Sequence, residues 1–143
     1  MNFENEISVK MKAIPRNEAF SRVVVAAFVS QLNPSVSELT DIKTAVSEAV
    51  TNSIIHGYNG QGGEIQLSCR IDNDVVTVEI TDWGRGIDNI DQARTPLFTS
   101  KPEEERSGMG FTVMETFMDE VEVFSKPGTV VKMTKKIEAS GVQ

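Results

Sequence analysis

Glu48 and Asn52 stand four residues apart in SEAVTNSIIHGY, residues 47–58, and no other charged side chain occurs between Glu48 and Glu64. On a helix, positions i and i+4 share a face, so this pair groups with Asp41, Ala45 and Ile55, opposite an apolar stripe. An amide oxygen is a ligand for Mg²⁺, a hard cation that prefers oxygen. A neighbouring carboxylate can take the proton of an attacking hydroxyl. The alternative is a solvated helix face, although such faces ordinarily scatter Lys and Glu. A second candidate is Asp82. Counting back by twos reaches Ile80, Val78 and Val76, so its side chain points where a strand keeps its apolar row. Either this carboxylate sits at the rim of the core and accepts a hydrogen bond from a ligand, or the strand has ended and Asp82 opens a turn. Gly84 and Gly86 follow in DWGRGI and let the backbone bend and approach a flat ligand closely. The third candidate is Ser107-Gly108-Met109-Gly110-Phe111, directly before a predicted helix. Unpaired N–H groups at a helix start attract an anion such as phosphate, and Lys101 and Arg106 add cations that Glu103, Glu104 and Glu105 offset. A serine N-cap followed by flexible glycines is the plainer alternative. His56, the one histidine, falls in a last helical turn where imidazole suits the dipole, and it reads as structural. Tyr58 and Trp83 read as packing.

The elements that must position these groups follow from periodicity. Residues 6–13 alternate as a strand. Pro15 opens a helix through about Leu32, with Phe20, Val23, Val24, Ala27 and Phe28 as its apolar spacing. Asn33-Pro34 stops that helix. Ser35 and Glu38 form a capping box for a second helix ending at Gly57, whose stripe is Leu39, Ile42, Val46, Ala49, Val50 and Ser53. NGQGG is a turn. Residues 64–71 and 75–82 form a hairpin, and a long connection runs from about Ile87 to Ser107, as a lid does. A helix from about Gly108 to Met118 and a hairpin of 120–125 and 129–137, turned at Lys126-Pro127-Gly128, complete the pattern. This order predicts an α+β fold: a two-layer α/β sandwich with a mixed, mostly antiparallel sheet and helices on one face.

Composition narrows the class. At 143 residues, 39% hydrophobic and 24% charged, the chain has the size and make-up of one globular domain, residues 1–143. A net charge of −7 argues against direct nucleic-acid binding through phosphate contacts. One cysteine, Cys69, lies in an apolar alternation and reads as core in a reducing compartment. No apolar run approaches the roughly 18 residues of a membrane span and no signal-peptide pattern opens the chain, so a cytoplasmic protein without membrane contact is expected. There is no G-x-x-x-x-G-K-[ST], no third Rossmann glycine after DWGRG, and no Cys/His cluster for zinc.

Glu48-x-x-x-Asn52, Asp82-x-Gly84-x-Gly86, a long lid and Gly108-x-Gly110 occur in the order of the boxes of the Bergerat-type ATP-binding superfamily. That fold is shared by gyrase, heat-shock chaperones, mismatch-repair ATPases and histidine kinases. Within it, SEAVTNSIIHGY and PLFTSKPEEERSGMGFTVMETFMDEV resemble the anti-sigma-F family of spore-forming bacteria, which are serine protein kinases. The resemblance implies ATP and Mg²⁺ as cofactors, with Glu48 as general base and Asn52 as the Mg²⁺ ligand. It makes Asp82 the adenine-binding aspartate, shaped by Gly84 and Gly86 and supported by Thr129 in Gly128-Thr129-Val130. Gly108 and Gly110 become phosphate-binding glycines, and Lys101 and Arg106 become cations of a lid at about 87–107. Trp83 departs from the smaller or polar residues usual there. The implied role is to inhibit a sporulation sigma factor as a homodimer and to phosphorylate a serine of an anti-anti-sigma factor, with Arg22 as a partner contact. A stress-response anti-sigma kinase of the same family is the nearest alternative. A histidine-kinase fragment is disfavoured because the sequence opens directly into a strand. A topoisomerase or chaperone fragment is disfavoured because those carry a further domain.

Overall fold

The computed structural model describes residues 4–86, 94, 110–125 and 128–138. Its strands are β1 (Glu4–Lys12), β2 (Glu64–Asp72), β3 (Val75–Asp82), β4 (Glu120–Phe124) and β5 (Thr129–Lys136), and its helices are α1 (Pro15–Val29), α2 (Val36–Asn52) and α3 (Gly110–Phe117). A 3₁₀ turn, Ser30–Leu32, follows α1, and a π turn, Ser53–Gly57, follows α2. The expected second helix therefore changes its winding at Ser53, five residues before Tyr58.

Local chemistry accounts for the boundaries. Pro15 sits at the start of α1, where its missing N–H costs nothing. Asn33 takes a left-handed conformation (φ 51°) that ends the 3₁₀ turn. The capping box of α2 forms as expected: Glu38 N–H donates to Ser35 Oγ at 3.0 Å, and Ser35 N–H donates to Glu38 Oε1 at 2.9 Å. Asn73, at φ 54°, turns the β2–β3 hairpin.

The sheet order is β1-β2-β3-β5-β4, so β5, the last described strand in the chain, inserts between β3 and β4. The fold is α+β, as expected. Every pairing among the described residues is antiparallel, which sharpens the expected mixed sheet. One sheet face carries Ile65, Leu67, Cys69 and Ile71 of β2, Val76, Val78 and Ile80 of β3, and Val131 and Met133 of β5, all buried. They pack with Ile42, Val46, Ala49 and Val50 of α2, and α1, α2 and α3 lie over this face. The other face is polar, with Lys10, Gln66, Ser68, Glu79 and Lys132 in alternation.

Two expected helix faces are corrected. The buried stripe of α1 is Ser21, Val25, Phe28 and Val29, while Phe20 is 50% and Val23 64% exposed and Ala27 is also exposed. Residues 23–29 are apolar all round, so periodicity could not select a face. Ser21 can be buried because its hydroxyl donates to Glu18 O at 2.6 Å and so leaves no unmet polar atom. Ala45, assigned to the face of Glu48, is fully buried. The Glu48–Asn52 row thus flanks the core instead of opposing it.

Candidate functional site

Asp82 lies at the end of β3 and is only 2% exposed. It pairs with Ile65 on one side and Thr129 on the other, so the strand includes it and the turn begins afterwards. Ser53 Oγ donates to Asp82 Oδ2 at 2.7 Å, and Gly84 N–H donates to Oδ1 at 3.0 Å. Burial pushes the Asp82 pKa up, and hydrogen bonds from Ser53, Gly84 and the Thr129 backbone oppose that rise. A carboxylate is kept at the cost of desolvation in a place where an apolar side chain would fit the alternation.

Backbone crowds this carboxylate closely. A Cβ at Gly84 would stand 1.9 Å from Gly57 O, and one at Gly128 would stand 2.2 Å from Asp82 O. One at Gly57 would stand 2.8 Å from Asp82 Oδ2. Arg85 N–H donates to Gly57 O at 2.8 Å, tying the strand end to the π turn. Gly86 has φ +81°, a conformation that needs glycine, so both glycines of DWGRG are required by the backbone.

Asn52 immediately precedes Ser53, and its Nδ2 is buried without a hydrogen-bond partner. Such an atom costs about 1–3 kcal/mol unless something outside the protein completes it. Glu48 is half-buried one turn earlier. Thr129 is buried opposite Asp82. Gly110 is buried at the start of α3, which packs against α2. Asn52, Asp82, Gly84, Gly86 and Thr129 are thus gathered at one end of the sheet, where α2 gives way to the π turn. Lys101, Arg106 and Gly108 lie outside the described residues, as does the expected lid at 87–107 apart from Arg94. Arg22 is on α1, within 2.8 Å of Glu18, and is not among the groups around Asp82.

The arrangement suits a flat ligand that donates a hydrogen bond to Asp82. A buried carboxylate offers acceptor capacity beside backbone that approaches closely, and the unpartnered donor Asn52 Nδ2 belongs to the residue just before Ser53, which bonds that carboxylate. Ser53, Gly57 and Gly128 lie around Asp82 and were not assigned to the site by the sequence, and Tyr58, read as packing, bonds Trp83 N–H beside it. Ser53 left a signal, a hydroxyl within an apolar stripe and adjacent to Asn52. Among the described residues no group of three or more His, Cys, Asp and Glu could hold a metal, and no helix is long and apolar enough to cross a membrane.

Residues 11–135 match the family model of the histidine kinase-like ATPase domain. Anti-sigma F factor from Anoxybacillus flavithermus is 55% identical over 139 residues, covering 95% of each chain. Anti-sigma F factor from Clostridium beijerinckii is 57% identical over 134 residues, covering 93% of this chain and 94% of the relative. Among solved structures, the RsbU and RsbW domains of a Mycobacterium tuberculosis protein superpose with a TM-score of 0.65 at 18% identity, over 93% of this chain and 32% of that one. At that identity the likeness speaks for the fold alone.

Proposed function

Because this chain belongs to the anti-sigma F factors within the histidine kinase-like ATPase family, we propose that it binds ATP with Mg²⁺ beside Asp82 and acts as an anti-sigma factor and serine protein kinase. The whole of residues 1–143 forms the kinase domain, with its lid at about 87–107. The observation that carries the reading is the buried Asp82 carboxylate, hydrogen-bonded by Ser53 and Gly84 and crowded by glycine backbone. A carboxylate held there accepts the adenine amino group and rejects guanine, whose corresponding atom is an acceptor.

Asn52 would hold Mg²⁺ through its amide oxygen, and the ion when bound would neutralise phosphate charge. Gly84, Gly86 and Thr129 shape the base pocket. Gly108 and Gly110 present backbone N–H groups to the phosphates, with Lys101 and Arg106 closing over them. Glu48 accepts the proton of a substrate serine hydroxyl as that oxygen bonds to the transferred phosphorus and the ADP oxygen departs. The protein substrate is an anti-anti-sigma factor, and the inhibited partner is a sporulation sigma factor. The exposed apolar row Phe20, Val23 and Ala27 on α1 supports a homodimer, with Arg22 beside it as a partner contact.

The test is incubation with ATP, Mg²⁺ and candidate anti-anti-sigma factors, followed by phosphoserine detection, alongside sigma-factor binding in the presence of ATP or ADP. Phosphorylation of one serine and nucleotide-dependent sigma binding are expected. Nucleotide binding without either result refutes the kinase and anti-sigma reading.

A further inference from the structure

The β2–β3 ladder pairs Ile65 with Asp82, so Glu64 and Trp83 are the next residues that would face each other. The ladder stops one pair short of them. The Tyr58 hydroxyl stands there instead, donating to Glu64 O and accepting from Trp83 N–H at 2.8 Å. Its ring lies against Gly63, where a Cβ would stand 2.4 Å from it. Tyr58 N–H donates to Ser53 O at 3.0 Å, which ties the same residue to the group that bonds Asp82.

This arrangement decides where β3 leaves the sheet. Held off its neighbour by the hydroxyl, Trp83 turns, and Gly84 N–H folds back onto Asp82 Oδ1. Arg85 N–H then reaches Gly57 O. Without the hydroxyl, Glu64 O and Trp83 N–H lose their bridge. The strands either close one pair further, drawing Gly84 away from Asp82, or the corner loosens.

We infer that Tyr58 is a positioning residue for the nucleotide site, its hydroxyl wedging the end of the β2–β3 ladder so that the Asp82–Gly84 corner faces the base. The inference rests on the ATP-binding reading above. Its test is Tyr58→Phe in the full chain, with three readouts: ADP affinity by calorimetry, the melting temperature, and the emission of Trp83, the one tryptophan. The variant is expected to unfold cooperatively, to bind ADP about tenfold more weakly (about 1.4 kcal/mol), and to show shifted Trp83 emission without nucleotide. A tyrosine with only a structural role would lower the melting temperature and leave ADP affinity unchanged, and that result overturns the inference. Wild-type protein that does not bind ADP refutes the nucleotide site itself. Equal ADP binding by wild type and variant refutes only the role of Tyr58. If Tyr58→Phe does not fold, Gly63→Ala keeps the hydroxyl but displaces the ring. Weaker ADP binding in Gly63→Ala supports the inference, and unchanged binding overturns it.

Discussion

Asp82→Asn separates what the carboxylate does for the ligand from what it costs the fold. In the free protein the asparagine keeps an oxygen for Gly84 N–H and offers its NH₂ to Ser53 Oγ, since a hydroxyl accepts as readily as it donates. The desolvated charge disappears. Folding raises the Asp82 pKa above its ordinary 3.8, burial being the main cause. Its favourable share of stability is therefore complete below that ordinary value and is lost as pH rises through the folded-state pKa. The melting difference between Asp82→Asn and wild type should accordingly be small near pH 4 and move in favour of the variant as pH rises through the folded-state pKa. Nucleotide acts in the opposite sense. Wild type at 100 times its Kd for ADP gains about 2.7 kcal/mol, a melting rise of roughly 10 °C at this size. A hydrogen bond to a charged group contributes about 1.5–3 kcal/mol, so its loss weakens binding on the order of 100-fold. At the same ADP concentration the variant then gains only about 0.4 kcal/mol, or roughly 1–2 °C. The assay is thermal melting from pH 4 to pH 8, with and without ADP and GTP. An Asp82→Asn protein that keeps the full ADP shift, or a wild type equally stabilised by GTP, would refute the reasoning.

Four further outcomes are expected. Glu48→Gln should keep the ATP-induced melting shift while serine phosphorylation falls by a factor of ~10²–10⁴; an active variant would move the base elsewhere. Gly84→Ala should cost more than about 4 kcal/mol or prevent folding, because the new methyl meets the backbone oxygen of Gly57. By contrast Gly62→Ala, with open space but φ +86°, should cost only about 1–2 kcal/mol, as urea melts of the two will compare. Cys69, fully buried with its thiol pushed up to about 12, should react with a thiol reagent only at the rate of unfolding. Lys101→Ala or Arg106→Ala should shrink the difference in sigma-factor affinity between ATP- and ADP-loaded protein more than it weakens ADP binding, read by titration on a Glu48→Gln background.

Much of this was readable in advance because short-range rules govern it. The capping box of α2, both hairpins and the inward aim of Asp82 follow from spacing alone, and the structure keeps them. The face of α1 did not follow, since a helix apolar on every side gives periodicity nothing to choose between. Ala45 was misplaced because alanine is indifferent to either side of a helix. Tyr58 read as packing and Gly128 as a turn residue for a different reason. Their roles depend on register, on which strand ends face which, and no local pattern encodes that. Ser53 lay between these cases: its hydroxyl was visible, but its partner is 29 positions away.

The place of β5 has a consequence for biosynthesis. Because β4 pairs, among the described residues, only with β5, and β5 pairs on its other side with β3, β4 has no seat among the described strands until β5 has been made. Gly128 and Thr129, which wall the Asp82 corner, arrive with the same segment. A nascent or prematurely terminated chain that ends before β5 lacks Gly128 and Thr129, and so one wall of the Asp82 corner. On the proposed ATP-binding reading, a chain ended before β5 should therefore lack affinity for the nucleotide.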